Sequence, residues 1–422
     1  MTTPRRGRLP AGLRRVALDL TPLRTSRPFA RLILGDALSV LGTQMTLVAI
    51  PIQVYAQTRS AAAVGLLGVA GLVPLIVFGL YGGAVADAVD RRRLLLITTW
   101  GEVALGVVLV AQAVADVRQT WLLYVAIGVG AALFAVDSSA RSALIPRLLP
   151  TELLPAANAI KQVEFGLGVT LGPLLAGVLV AQFGFGSVYA LDLLSFAGVL
   201  VAVAALPSVP PEGGGRRAGI ASVLEGFAFL RTRPVLLMTF VVDLVAMIFA
   251  MPRALFPALA EEVYGGGPQT VGALYSALAA GALAAAVLGG WFGRVHRQGL
   301  AVVVAIVVWG GAVVLFGATD SLLLGLVFLA AAGAADMVSA VFRTSILQAA
   351  APDEMRGRLG GVFIVVVAGG PRLGDARAGG MASFAGLQGS VIAGGVACVV
   401  VTAALAAAVP RFLRYDSRTP TA

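Results

Sequence analysis

Chemistry that depends on cysteine, histidine or lysine has almost nothing to work with in this 422-residue chain. Cys398 is the only cysteine, which excludes an intrachain disulfide and any multi-cysteine metal site. His296 is the only histidine and falls in an arginine-rich loop, where a solvated side chain is expected rather than a proton relay. Lys161 is the only lysine, and no Gly-xxxx-Gly-Lys-Ser/Thr loop is present to hold ATP. No metal and no cofactor are therefore expected. Charge is scarce as well, at 12% of residues against 59% hydrophobic. A water-soluble domain of that make-up would expose apolar surface and aggregate. The 28 leading residues lack an apolar core, so no cleavable signal is expected.

What abounds is apolar sequence in runs of membrane length. A spanning helix needs roughly 20 mostly apolar residues. Twelve such runs are read at 29–55, 61–86, 94–115, 121–145, 157–182, 184–206, 235–260, 270–292, 299–318, 321–347, 358–384 and 387–410. The one long polar interruption opens with Pro207, Pro210, Pro211 and Gly213-Gly214-Gly215-Arg216-Arg217, the composition of a linker. Within it, 221–230 reads as a short amphipathic helix on the membrane surface. The predicted organisation is an N-terminal arm (1–28), a six-helix bundle (29–206), a linker (207–234), a second six-helix bundle (235–410) and a tail (411–422).

Arginine sets the orientation. It fills the segment before the first span, the tail, and the loops at Arg91–Arg93, Arg147, Arg216, Arg217, Arg294, Arg297 and Arg356. The opposite loops carry only Arg59 and Arg118. The positive-inside rule then places both termini in the cytoplasm, in a multi-pass protein of the cytoplasmic (inner) membrane. The net charge of +10 is explained by topology and anionic lipid. Because the arginines are scattered over separate loops, the bilayer is the expected partner and nucleic acid is not.

The two halves repeat each other. At a shift of 202 residues, Arg141, Pro150 and Glu152 fall on Arg343, Pro352 and Glu354, and Gly168, Gly172 and Gly177 fall on Gly370, Gly374 and Gly379. Asp36 and Asp243 form a fainter match near the start of spans one and seven. Two repeats related by an axis along the membrane normal are an architecture of secondary transporters, with cargo bound at mid-depth between the halves.

The loop Gly82-Gly83-Ala84-Val85-Ala86-Asp87-Ala88-Val89-Asp90-Arg91-Arg92-Arg93 resembles the signature loop of the major facilitator superfamily. The resemblance implies an all-α fold of twelve helices in two pseudo-symmetric six-helix bundles. It also implies a conformational latch in which Gly83 allows close helix approach, Asp87 faces the N-terminal end of span eleven, and Arg91 or Arg92 reaches Asp137. Arg141 and Arg343, near the same ends of spans four and ten, are read as further gate or latch ion pairs. Asp90 and its neighbours replace the usual residues between the acid and the arginines, and the second-half loop Gly290-Trp291-Phe292-Gly293-Arg294 has lost the acid. An asymmetric latch is expected.

Span five, with Gly168, Gly172, Pro173 and Gly177, resembles the Gly-Pro motif of the family's antiporters, although Ala176 stands where glycine is commoner. Close helix packing explains the same residues almost as well. Span eleven carries Arg372, Asp375 and Arg377 in the equivalent stretch, which packing alone does not require. Phe29–Gln57, Met251–Glu262, Ala351–Gly361 and Gly374–Gly380 resemble the enterobactin-exporter-like branch of siderophore and drug efflux transporters. That likeness implies proton-driven export of an amphipathic small molecule by alternating access, by a monomer.

Charges inside spans cost about 2.5–3.5 kcal/mol each on insertion scales, so they face protein or water. A proton carrier needs a carboxyl whose proton affinity responds to burial and to an approaching cation. Asp36 and Asp243 are the first candidates and Asp336 the third, with structural pairing to arginine as the alternative reading. Gln44, Arg253, Arg372 and Asp375 are the cavity candidates. The arginines suit an anionic cargo or iron-chelating oxygens, and the aspartates suit a cationic drug. An importer of the same fold and a non-transporting sensor or scaffold are the rival readings. An embedded enzyme is disfavoured by the want of a histidine or cysteine cluster.

Overall fold

The computed structural model describes residues 19–206, 220–352, 355, 359 and 362–418; the side chains of 82–84, 86, 87, 143, 220–223 and 364 lie outside the description. Among the described residues, twelve long helices follow one another. In the first half they are α1 (Arg27–Thr58), α2 (Ala61–Ala88), α3 (Arg91–Val114), α4 (Thr120–Leu148), α5 (Leu154–Phe183) and α6 (Phe185–Ala204). In the second half they are α7 (Pro234–Ala250), α8 (Pro268–Val287), α9 (Gln298–Gly317), α10 (Leu322–Ala350), α11 (Gly369–Ala385) and α12 (Leu387–Ala408). A further helix, Ile220–Arg231, covers the expected amphipathic segment, while 207–219 of the expected linker and 1–18 of the expected arm lie outside the described residues.

Local chemistry explains the corners. The Ser26 and Ser60 hydroxyls accept from the Phe29 and Ala63 N–H groups, and the Asp90 carboxylate accepts from Arg93 N–H, so each of α1 to α3 starts on a capped turn. Gly184 and Gly386 close α5 and α11 at φ +77° and +74°, a region that glycine enters without penalty. They stand 202 positions apart, so the duplication is visible in backbone geometry as well as in sequence.

Eleven helical segments among the described residues are long and apolar enough, by length and composition, to cross a membrane. The twelfth, α11, carries Arg372, Asp375 and Arg377 within seventeen residues. Large apolar side chains stand exposed around the bundle, Trp100, Val201, Leu323 and Phe384 among them. A belt of that kind suits lipid and not water.

Two spans depart from expectation. Span seven, read as continuous over 235–260, is interrupted at Met251–Pro252, resumes as one 3₁₀ turn (Arg253–Leu255), and ends in Phe256–Glu262. Pro252 is the cause, since proline donates no N–H and turns its predecessor, Met251 at ψ 114°, away from helix, while Pro257 sits in the first turn of the resumed helix, where it is tolerated. Span eleven enters through a π-helical turn, Ile364–Ala368, before α11 proper. Broken backbone at membrane depth is tolerated where protein or a cavity satisfies it. The segment Pro234–Glu262 is the most buried of the spans, at 67% of its apolar window.

Candidate functional site

A cavity of about 470 Å³ lies between the halves. Gln44 of α1, Val64, Leu67 and Gly68 of α2, and Val169 and Pro173 of α5 form its first-half wall. Arg253, Tyr275 of α8, Asp336 of α10, and Pro371, Arg372 and Asp375 of α11 form the other. All four expected cavity residues therefore share one space, and Asp336 joins them. Arg253 owes its place to the break after α7, which turns the chain inward there.

The polar groups of this cavity are only partly satisfied. Asp375 accepts from the Ala254 N–H exposed by the break, while its Oδ1 is buried with no hydrogen-bond partner among the described residues. The Nε of Arg253 is likewise buried and unpartnered. Tyr275 donates its hydroxyl to the Arg253 carbonyl at 3.3 Å. Arg372 donates to the Ala368 carbonyl at 3.0 Å, and a β-carbon placed on Gly71 of α2 would lie 3.0 Å from its Nε. Buried polar atoms normally find partners. Two guanidinium groups and two carboxylates facing one space fit a cargo that brings both acceptors and donors. Tyr275 carried no signal in the sequence beyond being aromatic.

Asp36 and Asp243, expected as proton carriers, stand elsewhere. Asp36 pairs with Arg141, which also holds Asp137 one turn back on α4, and the Thr98 hydroxyl donates to Asp137 at 3.0 Å. Asp243 pairs with Arg343 at 2.7 Å. Both acids are shut inside their own halves, 6% and 3% exposed, and neither is among the cavity-lining residues. Each half thus repeats one device, an acid on its first helix held by an arginine on its fourth.

The expected latch is described only in part. Gly83 and Asp87 lie outside the described side chains. Arg92 donates to the Ala204 carbonyl at the end of α6 (2.6 Å), and not to Asp137. Arg141, four residues along the same helix, already occupies that acid. Arg91 is buried at 7%. Arg377 turns from the cavity and donates to the Ile248 and Ser390 carbonyls, tying α7, α11 and α12 together.

The glycines of span five are contact points. Gly168 lies beneath Val40, Gly172 beneath Gln44 and Leu41, and Gly177 against Pro268 and Gln269 of the other half. Gly177 belongs to a seal at the end away from the termini. There Tyr55 donates to Glu262, and Arg59 pairs with Glu261, whose carboxylate holds the guanidinium above the usual arginine range. A β-carbon on Gly379 would sit 2.5 Å from the Ala61 carbonyl, and one on Gly272 would collide with that of Pro173. Gly272→Val is therefore expected to prop the seal open. A cysteine introduced as Gln269→Cys would then label several-fold faster with a membrane-impermeant maleimide, against a background in which Cys398 is buried. Unchanged labelling would show that the contact does not control closure.

Residues 17–420 match the transmembrane secretion effector family of the major facilitator superfamily. The chain belongs to this family. It is 29% identical to the enterobactin exporter EntS of Citrobacter koseri, over 91% of this chain and 92% of that one. It is 28% identical to EntS of Escherichia coli, over 96% and 97%. The fold is shared with the crystal structure of a bacterial homologue of the human lysosomal transporter Spinster, at TM-score 0.71 and 18% identity, covering 94% of this chain and 98% of that one. This major facilitator protein is accordingly a multi-pass membrane transporter and not an enzyme, built as two six-helix bundles.

Proposed function

We propose that this transporter is a proton-coupled exporter of an amphipathic small molecule bearing anionic oxygens, a siderophore before a drug. It works as a monomer, by alternating access between the bundles 29–206 and 235–410. The arginine asymmetry supports a cytoplasmic-membrane location with both termini and the linker in the cytoplasm, which makes the sealed end the outer one. The observation that carries the reading is the cavity between the halves, where Arg253 and Arg372 hold positive charge in a space closed outward by Tyr55–Glu262 and Arg59–Glu261. The likeness to two exporters over nearly the whole chain favours export over import.

Inverted membrane vesicles test it. Radiolabelled enterobactin, with ethidium beside it, is offered to vesicles carrying the protein under an acid-inside pH step. The expected result is several-fold more accumulation than in vesicles lacking the protein, abolished by a protonophore. Accumulation of ethidium alone would move the cargo to cationic drugs. Accumulation that ignores the protonophore would remove proton coupling.

A further inference from the structure

The duplicated ion pairs differ in the position of one carboxylate, and that difference locates the proton. In α4 the second acid, Asp137, stands four residues before Arg141 and is held there by Arg141 and Thr98. In α10 the residue four before Arg343 is Ser339, whose hydroxyl accepts from Arg343 Nε at 3.1 Å. The acid of α10 stands instead at Asp336, seven residues before the arginine. Three further residues carry it about 4.5 Å along the helix, away from the end bearing the termini. That step takes it out of the enclosed cluster and into the cavity wall, where its side chain is 39% exposed.

Asp336 nevertheless stays in touch with the cluster. Its Oδ1 lies 3.9 Å from Arg343 Nη2, while Arg343 Nη1 is 2.7 Å from Asp243, whose Oδ2 is buried without a partner among the described residues. Beside Arg343 a smaller cleft of about 70 Å³ is lined by Thr239, Thr344, Phe363 and Val367, and Val367 lines the main cavity too. Asp336, Arg343 and Asp243 thus run from the cargo space toward the end bearing the termini. The first half has no such arrangement among the described residues.

We propose, resting on the exporter reading above, that Asp336 is the proton-binding site of the cycle and Arg343 its switch. A proton from the outer medium adds to the Asp336 carboxylate and leaves Arg343 to Asp243 alone. Release toward the cytoplasm restores the carboxylate and its attraction for Arg343. The other charged or titratable groups around Asp336 are Arg253 beyond α7 and, on the same wall of the cavity, Tyr275, Arg372 and Asp375. Exchange of cargo for proton requires both to compete for one carboxylate. The cargo therefore presents an N–H or O–H donor to Asp336, while its anionic oxygens meet Arg253 and Arg372.

The test separates coupling from carrying. In inverted vesicles, pH-driven accumulation of labelled enterobactin is compared with counterflow, the exchange of labelled for unlabelled enterobactin without a pH gradient. Asp336→Asn is expected to lose accumulation at least tenfold and to keep counterflow at a rate no longer dependent on pH. Asp116→Asn, at an exposed acid that pairs with Arg118 away from the cavity, is expected to keep its accumulation. The double variant Asp336→Asn/Ser339→Asp, which returns the acid to the first-half position and keeps a counter-charge for Arg343, is expected to fold and remain uncoupled. Full accumulation by Asp336→Asn or by the double variant overturns the proposal. So does an equal loss in Asp116→Asn, or loss of counterflow along with accumulation in a variant of unchanged melting temperature. If the unmodified protein itself shows no pH-driven accumulation, the exporter reading fails first.

Discussion

Arg141→Ala is expected to lower the melting temperature of the purified protein more than any other substitution of a single charge named above. Arg141 is the one cation bonded to both Asp36 and Asp137, and its own side chain is 14% exposed. Removing it leaves two enclosed carboxylates facing each other without compensation. Breaking a buried ion pair from one side typically costs about 3–5 kcal/mol, because the remaining charge is stranded in a poor solvent. Here two acids are stranded. The triple variant Arg141→Ala, Asp36→Asn, Asp137→Asn removes the stranded charge and is expected to recover most of the loss. Thermal unfolding in detergent, read by size-exclusion chromatography, distinguishes the outcomes. A triple variant no more stable than Arg141→Ala would mean that the guanidinium acts through packing and not through its charge.

The second large effect concerns cargo. Arg372→Ala is expected to raise the half-saturating concentration for enterobactin by about tenfold or more, since charge-assisted hydrogen bonds contribute about 1.5–3 kcal/mol. The same substitution is expected to leave ethidium transport within about twofold, because it removes a repelling charge and no acceptor. Arg372 also packs against Gly71, so alanine removes bulk along with charge. Arg372→Lys separates the two effects. It retains charge and much of the length but not the planar fork, and an intermediate loss is expected. Equal losses for the anionic and cationic probes with alanine would assign Arg372 to helix packing.

The architecture was legible because membrane length and the 202-residue repeat are one-dimensional signals. The cavity residues were legible for a related reason: a charge inside an apolar span has few places to go, and Arg253, Arg372, Asp375 and Asp336 all line one cavity. Span position did not show which charges neutralise each other. Asp36 and Asp243 looked like carriers because they occupy matching places on first helices. Whether such an acid meets the cavity or an arginine depends on the angular position of a side chain on a different helix. Arg141 and Arg343 supplied that partner. Arg377 shows the same limit in reverse, since its carbonyl partners Ile248 and Ser390 carry no sequence signature. The break after Ala250 was available in Pro252, but apolar continuity across 235–260 outweighed it.

That interruption has a mechanical meaning. The seven residues Phe256–Glu262 are fastened by Glu262 and Glu261 to Tyr55 and Arg59 of the opposite half, whereas Pro234–Ala250 is built into its own half through Asp243. Span seven is thus a jointed rod with each length bolted to a different body. Unclasping the doorway away from the termini need not drag the whole rod along, and the elbow at Met251–Pro252, beside Arg253, is where the load would be felt.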